Sequence, residues 1–117
     1  MRHKKIKGKL GRNSSYRDLL LANLSISLID HKKIETTYAK AKEVQKYLEK
    51  LITIAKHNNL HAQREVQKAI RNKKASKRLF EEITPKFLER NGGYTRIVKA
   101  GYRKGDSAPL AIIEFVE

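Results

Sequence analysis

The sequence predicts an α+β fold of two layers, with helices packed on a small three-stranded sheet, mixed or antiparallel, and an extended basic arm at the N-terminus. Three observations predict it. Apolar residues between Ser15 and Leu88 recur mostly at spacings of three and four, the period of helices that bury one face. Short β-branched or alternating segments lie at Lys33–Thr37 and after Gly93, where strand chemistry replaces the helical period. Arg2, Lys4, Lys5, Lys7, Lys9, Arg12 and Arg17 crowd the first 17 positions without one Asp or Glu. The order reads α-β-α-α-α-β-β, which gathers the helices on one face of the sheet.

Residues 1–13 form the arm. Ile6 and Leu10 are its aliphatic side chains and Gly8 and Gly11 loosen its backbone, so it buries too little to fold alone. Such blocks of like charge serve as interaction tails; a solubilising tail or an expression remnant is the alternative. Residues 14–117 form one domain.

Ser15, followed three residues later by Asp18, has the spacing of a capping box. The helix it opens runs from about Ser15 to His31. Leu20, Leu24 and Leu28 make its stripe, widened by Leu19, Leu21, Ile26 and Ile29, so it is expected to be central. Lys33–Thr37 follows as a strand. Thr37 caps a second helix to about Lys56, with Val44, Leu48, Leu51, Ile52 and Ala55 on the buried face. Lys42, Lys46 and Lys50 form a separate row, open to reading as a solvated face balanced by Glu43 and Glu49.

His57-Asn58-Asn59 breaks that helix. A third, about Leu60 to Arg71, buries Ala62, Val66, Ala69 and Ile70, and Asn72-Lys73-Lys74 turns the chain. Ser76 opens a short fourth helix with Leu79, Phe80 and Ile83 inward. Thr84-Pro85 restarts it, Thr as cap and Pro in first position, with Phe87 and Leu88 as anchors; Asn91-Gly92-Gly93 ends it. Tyr94–Tyr102 and Pro109–Val116 are two strands, joined through turn chemistry at Gly105-Asp106. In the last strand apolar residues occupy both faces, which reads as a strand covered on both sides.

Charge bounds the partner. The 117 residues hold 27 Lys and Arg against 12 Asp and Glu, a net +15. Such a chain calls for a dense polyanion, and neutralising phosphates also releases their condensed counterions. Membrane is the competing anion, but Leu19–Leu21 and Ala108–Ile113 fall far short of the ~20 apolar residues of a span, and no apolar run follows the basic start as in a secretory signal.

Catalytic inventories come up empty. Cysteine is absent, excluding disulfides and thiolate sites, and neither a nucleophile elbow nor a phosphate-binding P-loop occurs. His57 and His61 are four apart, a zinc-compatible spacing, but no third ligand is evident. No cofactor, metal or small-molecule substrate is expected.

The nucleic-acid case is stronger. Lys40 and Lys42 stand in the first turn of the second helix, where exposed N–H groups add to anion binding. Arg96, Lys99, Arg103 and Lys104 ring the hairpin, with Tyr94 and Tyr102 nearby. Arginine grips phosphate in bidentate fashion and aromatic rings stack on unpaired bases; packing within the sheet is the alternative for both tyrosines. A strand-like segment between the first two helices argues against a helix-turn-helix DNA reader. Charge alone leaves RNA and DNA open.

The residues then resemble a known family, the bacterial large-subunit ribosomal protein seventeen family. Met1-Arg2-His3-Lys4-Lys5 through Leu10-Gly11-Arg12-Asn13-Ser14-Ser15-Tyr16-Arg17 is similar to its opening. Ile34-Glu35-Thr36-Thr37-Tyr38-Ala39-Lys40-Ala41-Lys42, then Glu49-Lys50-Leu51-Ile52-Thr53-Ile54-Ala55-Lys56, resembles its long signature. Gly92-Gly93-Tyr94-Thr95-Arg96-Ile97 and Gly105-Asp106-Ser107-Ala108-Pro109-Leu110-Ala111-Ile112-Ile113-Glu114 match its close. The resemblance covers essentially the whole chain, least distinctively over 58–80, and departs at Tyr16, where histidine is common. It implies a non-catalytic structural constituent of the large ribosomal subunit, bound to large-subunit ribosomal RNA. Its neighbours would be other large-subunit proteins near the nascent-peptide exit region, in a bacterial cytoplasm or an organellar ribosome. The RNA-binding set then comprises Arg2, His3, Lys4, Lys5, Lys7, Lys9, Arg12, Asn13 and Arg17, with Lys40, Lys42, Tyr94, Arg96, Arg103 and Lys104.

Overall fold

Helix α1 spans Ser14–His31 in the computed structural model, which describes residues 14–116. It starts one residue before the expected cap, so Ser15 lies inside the first turn. Its buried stripe is Leu21, Ala22, Ser25, Leu28 and Ile29; Leu20 and Leu24 are half-buried and Leu19 is 55 % exposed. The helix is therefore rotated from the expected stripe and leaves one apolar edge open. Ser25 sits in the buried face with no hydrogen-bond partner for its hydroxyl among the described residues.

The chain leaves α1 through Lys32, whose φ is 70° and whose N–H bonds the Leu28 carbonyl at 2.7 Å. A left-handed conformation costs an L-residue about 1–2 kcal/mol, which glycine avoids. Glycine gives back roughly 0.4–1 kcal/mol by loosening the unfolded chain. Lys32→Gly is therefore expected to stabilise the fold by about 0.5–1 kcal/mol, read as a higher melting temperature.

Strand β1, Lys33–Thr37, leads directly into helix α2, Tyr38–Ala55, where Thr37 Oγ1 accepts the Lys40 N–H at 3.4 Å. The expected face is buried, with Ala41 added to Val44, Leu48, Leu51, Ile52 and Ala55. This helix is the centre of the fold, touching α1 and all three strands. It also meets α3, Leu60–Ile70, where Asn59 Oδ1 caps the Ala62 N–H at 2.8 Å. Ala62, Val66 and Ile70 are buried as expected; Ala69 is half-buried, and its carbonyl accepts the Tyr47 hydroxyl at 2.9 Å.

Asn72-Lys73-Lys74 is not a turn. Asn72 caps helix α4, Lys73–Arg78, its Oδ1 accepting the Ala75 N–H at 3.0 Å. Ser76, expected to open that helix, is buried within it. The helix relaxes into a π-helical turn, Leu79–Ile83, and tightens into a 3₁₀ turn, Thr84–Phe87. Thr84 makes no side-chain cap, because the preceding residue is already helical and its own hydroxyl is buried without a partner among the described residues. Leu79, Ile83 and Phe87 point inward, but Leu88 is 58 % exposed and anchors nothing.

Strands β2, Thr95–Tyr102, and β3, Pro109–Phe115, complete an antiparallel sheet in the order β1-β3-β2. Near the tip of the hairpin the register slips between Lys99 and Tyr102, at Gly101, whose φ of 94° suits the bulge. Helix α2 fixes the start of β2: Gln45 Nε2 donates to the Thr95 carbonyl at 3.2 Å, and a Glu49 carboxylate oxygen accepts the Thr95 N–H at 3.2 Å and hydroxyl at 3.0 Å. Glu49 thus faces inward instead of balancing the lysine row; Glu43 pairs with Lys46 at 3.7 Å. Ala111 and Ile113 are buried, whereas Leu110 and Ile112 on the other face are half-buried. The last strand is covered on one side only.

Candidate nucleic-acid interface

The arm residues Arg2, His3, Lys4, Lys5, Lys7, Lys9, Arg12 and Asn13 lie outside the described residues. Arg17 stands in the first turn of α1, half-buried. The other expected contacts divide between the two ends of the sheet.

At one end, β1 runs into α2, and the pairing of Lys99 with Ala111 and of Thr36 with Ala111 brings β2 alongside. Lys42 Nζ lies 5.5 Å and Lys99 Nζ 5.4 Å from the centre of the Tyr38 ring. The ring's negative face offsets the repulsion between two ammonium groups. Lys40 is half-buried beside them. Thr37 Oγ1 already accepts the Lys40 amide N–H, which leaves the ammonium groups as the donors this patch offers. The partnership of Lys42 with Lys99 depends on strand register and was not visible in the spacing of the sequence.

Beyond that patch projects the β2–β3 tip. Arg103 binds Asp106 in a fork, Nε to Oδ1 at 3.1 Å and a terminal nitrogen to Oδ2 at 2.5 Å, and Asp106 Oδ1 also accepts the Ala108 N–H at 3.2 Å. The Arg103 hydrogen bond, followed by that of the Ala108 N–H, lowers the Asp106 pKa to about 2. An acid so lowered holds its pair above the unfolded carboxylate range and loses it as pH falls through about 2. At neutral pH Arg103 is therefore latched to its own loop. Asp106→Asn removes the competing charge, so RNA binding is expected to tighten, because Arg103 no longer gives up a carboxylate to take a phosphate; filter binding of the two proteins reads the difference. Lys104 is exposed with no ion pair among the described residues, and Tyr102 is 74 % exposed.

At the opposite end, Arg96 is exposed and pairs with Glu114 at 3.5 Å. Tyr94 leaves the interface. It is 1 % exposed, its ring tilted on Phe87 at 5.3 Å between centroids, its hydroxyl 3.3 Å from both Thr53 Oγ1 and Lys56 Nζ. No face of that ring is open to a base. Among the described residues no group of three or more His, Cys, Asp or Glu is placed to hold a metal, and no helix is long and apolar enough to cross a membrane.

The family model described as Ribosomal protein L17 matches residues 20–116. The "Large ribosomal subunit protein bL17" of Sulfurimonas denitrificans is 54 % identical over 116 residues, covering 99 % of this chain and 100 % of that one. The protein of the same name from Allorhizobium ampelinum is 50 % identical across 100 % of this chain and 83 % of its own. That from Syntrophotalea carbinolica is also 50 % identical, across 76 % of its length. Matched by the family model over nearly all its described length and half-identical to these relatives throughout, the chain belongs to the ribosomal protein L17 family.

Proposed function

We propose that this chain is a structural constituent of the large ribosomal subunit, not an enzyme, and that it stabilises folded ribosomal RNA in the cytoplasm. Chain-long identity to large-subunit proteins carries the reading. Surface chemistry supports it: Lys33, Lys40, Lys42, Lys86, Lys99 and Lys104 have no carboxylate within ion-pair distance among the described residues. Ammonium groups in that state exchange counterions for phosphate. The basic residues of the arm, with Arg17, Lys40, Lys42, Lys99 and Lys104, are the proposed grip, and Arg96 and Arg103 join it by giving up their carboxylates. The resemblance to the family's long signature supports a finer placement, beside neighbouring proteins near the nascent-peptide exit region.

The test is sedimentation. The protein is expected with large subunits in low salt and released in high salt, and cross-linking in cells is expected to recover ribosomal RNA. Recovery only from soluble fractions, or attached to discrete DNA sites, would overturn the proposal.

A further inference from the structure

An open cleft of about 450 Å³ lies where the end of α1, the start of β1, the 3₁₀ turn and the end of β3 meet. That volume falls in the range of pockets that hold small organic groups, roughly 300–1,000 Å³. Its rim carries Lys32, Lys33, Lys86 and Arg96, against Glu114 as the one acid among the described residues lining it. Ile83, Phe87, Phe115 and Val116 supply the apolar part of its lining. Phe87 and Phe115 lie there with ring centroids 6.2 Å apart, Phe87 buried behind and Phe115 half-buried at the surface.

We infer that this cleft receives one unpaired nucleotide of RNA, its base laid against Phe115 and its phosphate held by Lys33, Lys86 and Arg96. The inference rests on the ribosomal reading above for the identity of the RNA. Charge and aromatic surface coincide here, which is what an unstacked nucleotide requires: cations for the phosphate and a ring for the base. A paired base has both faces occupied by its stack and cannot use that ring. The rim is also ready to exchange partners. Arg96 holds Glu114 at 3.5 Å and Lys32 holds Glu82 at 3.8 Å, and solvent-exposed pairs of this length contribute little that a phosphate would not replace.

The left-handed turn that ends α1 at Lys32 sets His31, Lys32 and Lys33 around one opening.

The full chain is titrated with deproteinised large-subunit RNA as a function of salt, alongside three variants, with melting curves as a check on folding. Phe115→Leu is expected to weaken binding about tenfold with the salt slope unchanged, since base–aromatic stacking is worth ~1–3 kcal/mol. Phe115→Tyr is expected to retain it. The exposed double variant Lys33→Ala/Lys86→Ala is expected to lose roughly 1.4–1.8 of the slope. Ultraviolet cross-linking should join Phe115 to an unpaired nucleotide. If Phe115→Leu and the double variant both bind RNA as the parent does, the inference fails, even where the parent sediments with large subunits and the ribosomal reading stands. Unchanged RNA binding with impaired entry into subunits would mean that an acidic protein segment fills the cleft, which also overturns it. Failure of the parent itself to sediment with subunits would instead fall on the ribosomal reading.

Discussion

Removing residues 1–12 lowers the log–log salt slope of RNA binding by roughly 4 to 5. The deleted segment holds Arg2, Lys4, Lys5, Lys7, Lys9 and Arg12, and each neutralised phosphate contributes about 0.7–0.9. Over a fourfold rise in salt, the whole chain then loses roughly 250- to 1,000-fold more affinity than the truncated one. The core among the described residues runs from Leu21 to Ile113, and a melting curve of the truncated chain separates loss of grip from loss of fold. Filter binding across a salt series, with a melting curve for each protein, reads both quantities. A slope unaffected by the deletion would return the arm to the role of a solubilising tail.

Leu48→Ala is expected to cost about 2–5 kcal/mol, the range for a large-to-small change that leaves a sealed cavity. Leu48 is fully buried in the middle of the α2 stripe, so little can move in to fill the space. That loss is a large share of the ~5–15 kcal/mol that holds a domain folded. Melting should fall by on the order of 10 °C. Leu24→Ala should cost less, since that side chain is half-buried and water reaches the space it leaves. Both are measured by chemical denaturation. Equal losses at the two positions would contradict the described packing.

The two substitutions also mark what the sequence revealed. The α2 face was legible because Val44, Leu48, Leu51, Ile52 and Ala55 repeat cleanly. The α1 face was not, because apolar residues surround that helix and the residue that settles its rotation is a buried serine, Ser25. Strand β1 coincides with its β-branched run, Lys33–Thr37. The start of α4 is hidden in the sequence although Asn72 is a good cap, because the lysines after it look like loop chemistry. The π-helical turn left no sequence signal.

For the interface, spacing exposed the charges but not their partners. Asp106 three residues after Arg103, across a glycine, was a readable hint of the latch. Nothing local foretold that Tyr94 would fold under against Phe87, or that Lys33, Lys86, Arg96 and Phe115 would border one opening. Those meetings depend on contacts more than fifty residues apart in some pairs.

The strand order β1-β3-β2 sets a timetable. The middle strand is the last to be synthesised, so neither Lys33–Thr37 nor Thr95–Tyr102 has a sheet partner until residues 109–115 emerge. Closing β1 onto β3 pairs residues 73 (Thr37 with Leu110) to 81 (Lys33 with Glu114) positions apart, contacts of the kind that slow folding. The helices, whose contacts are nearer in sequence, can gather before that. Lys33, Arg96 and Lys99, carried on β1 and β2, therefore reach their final spacing only when the strand between them arrives.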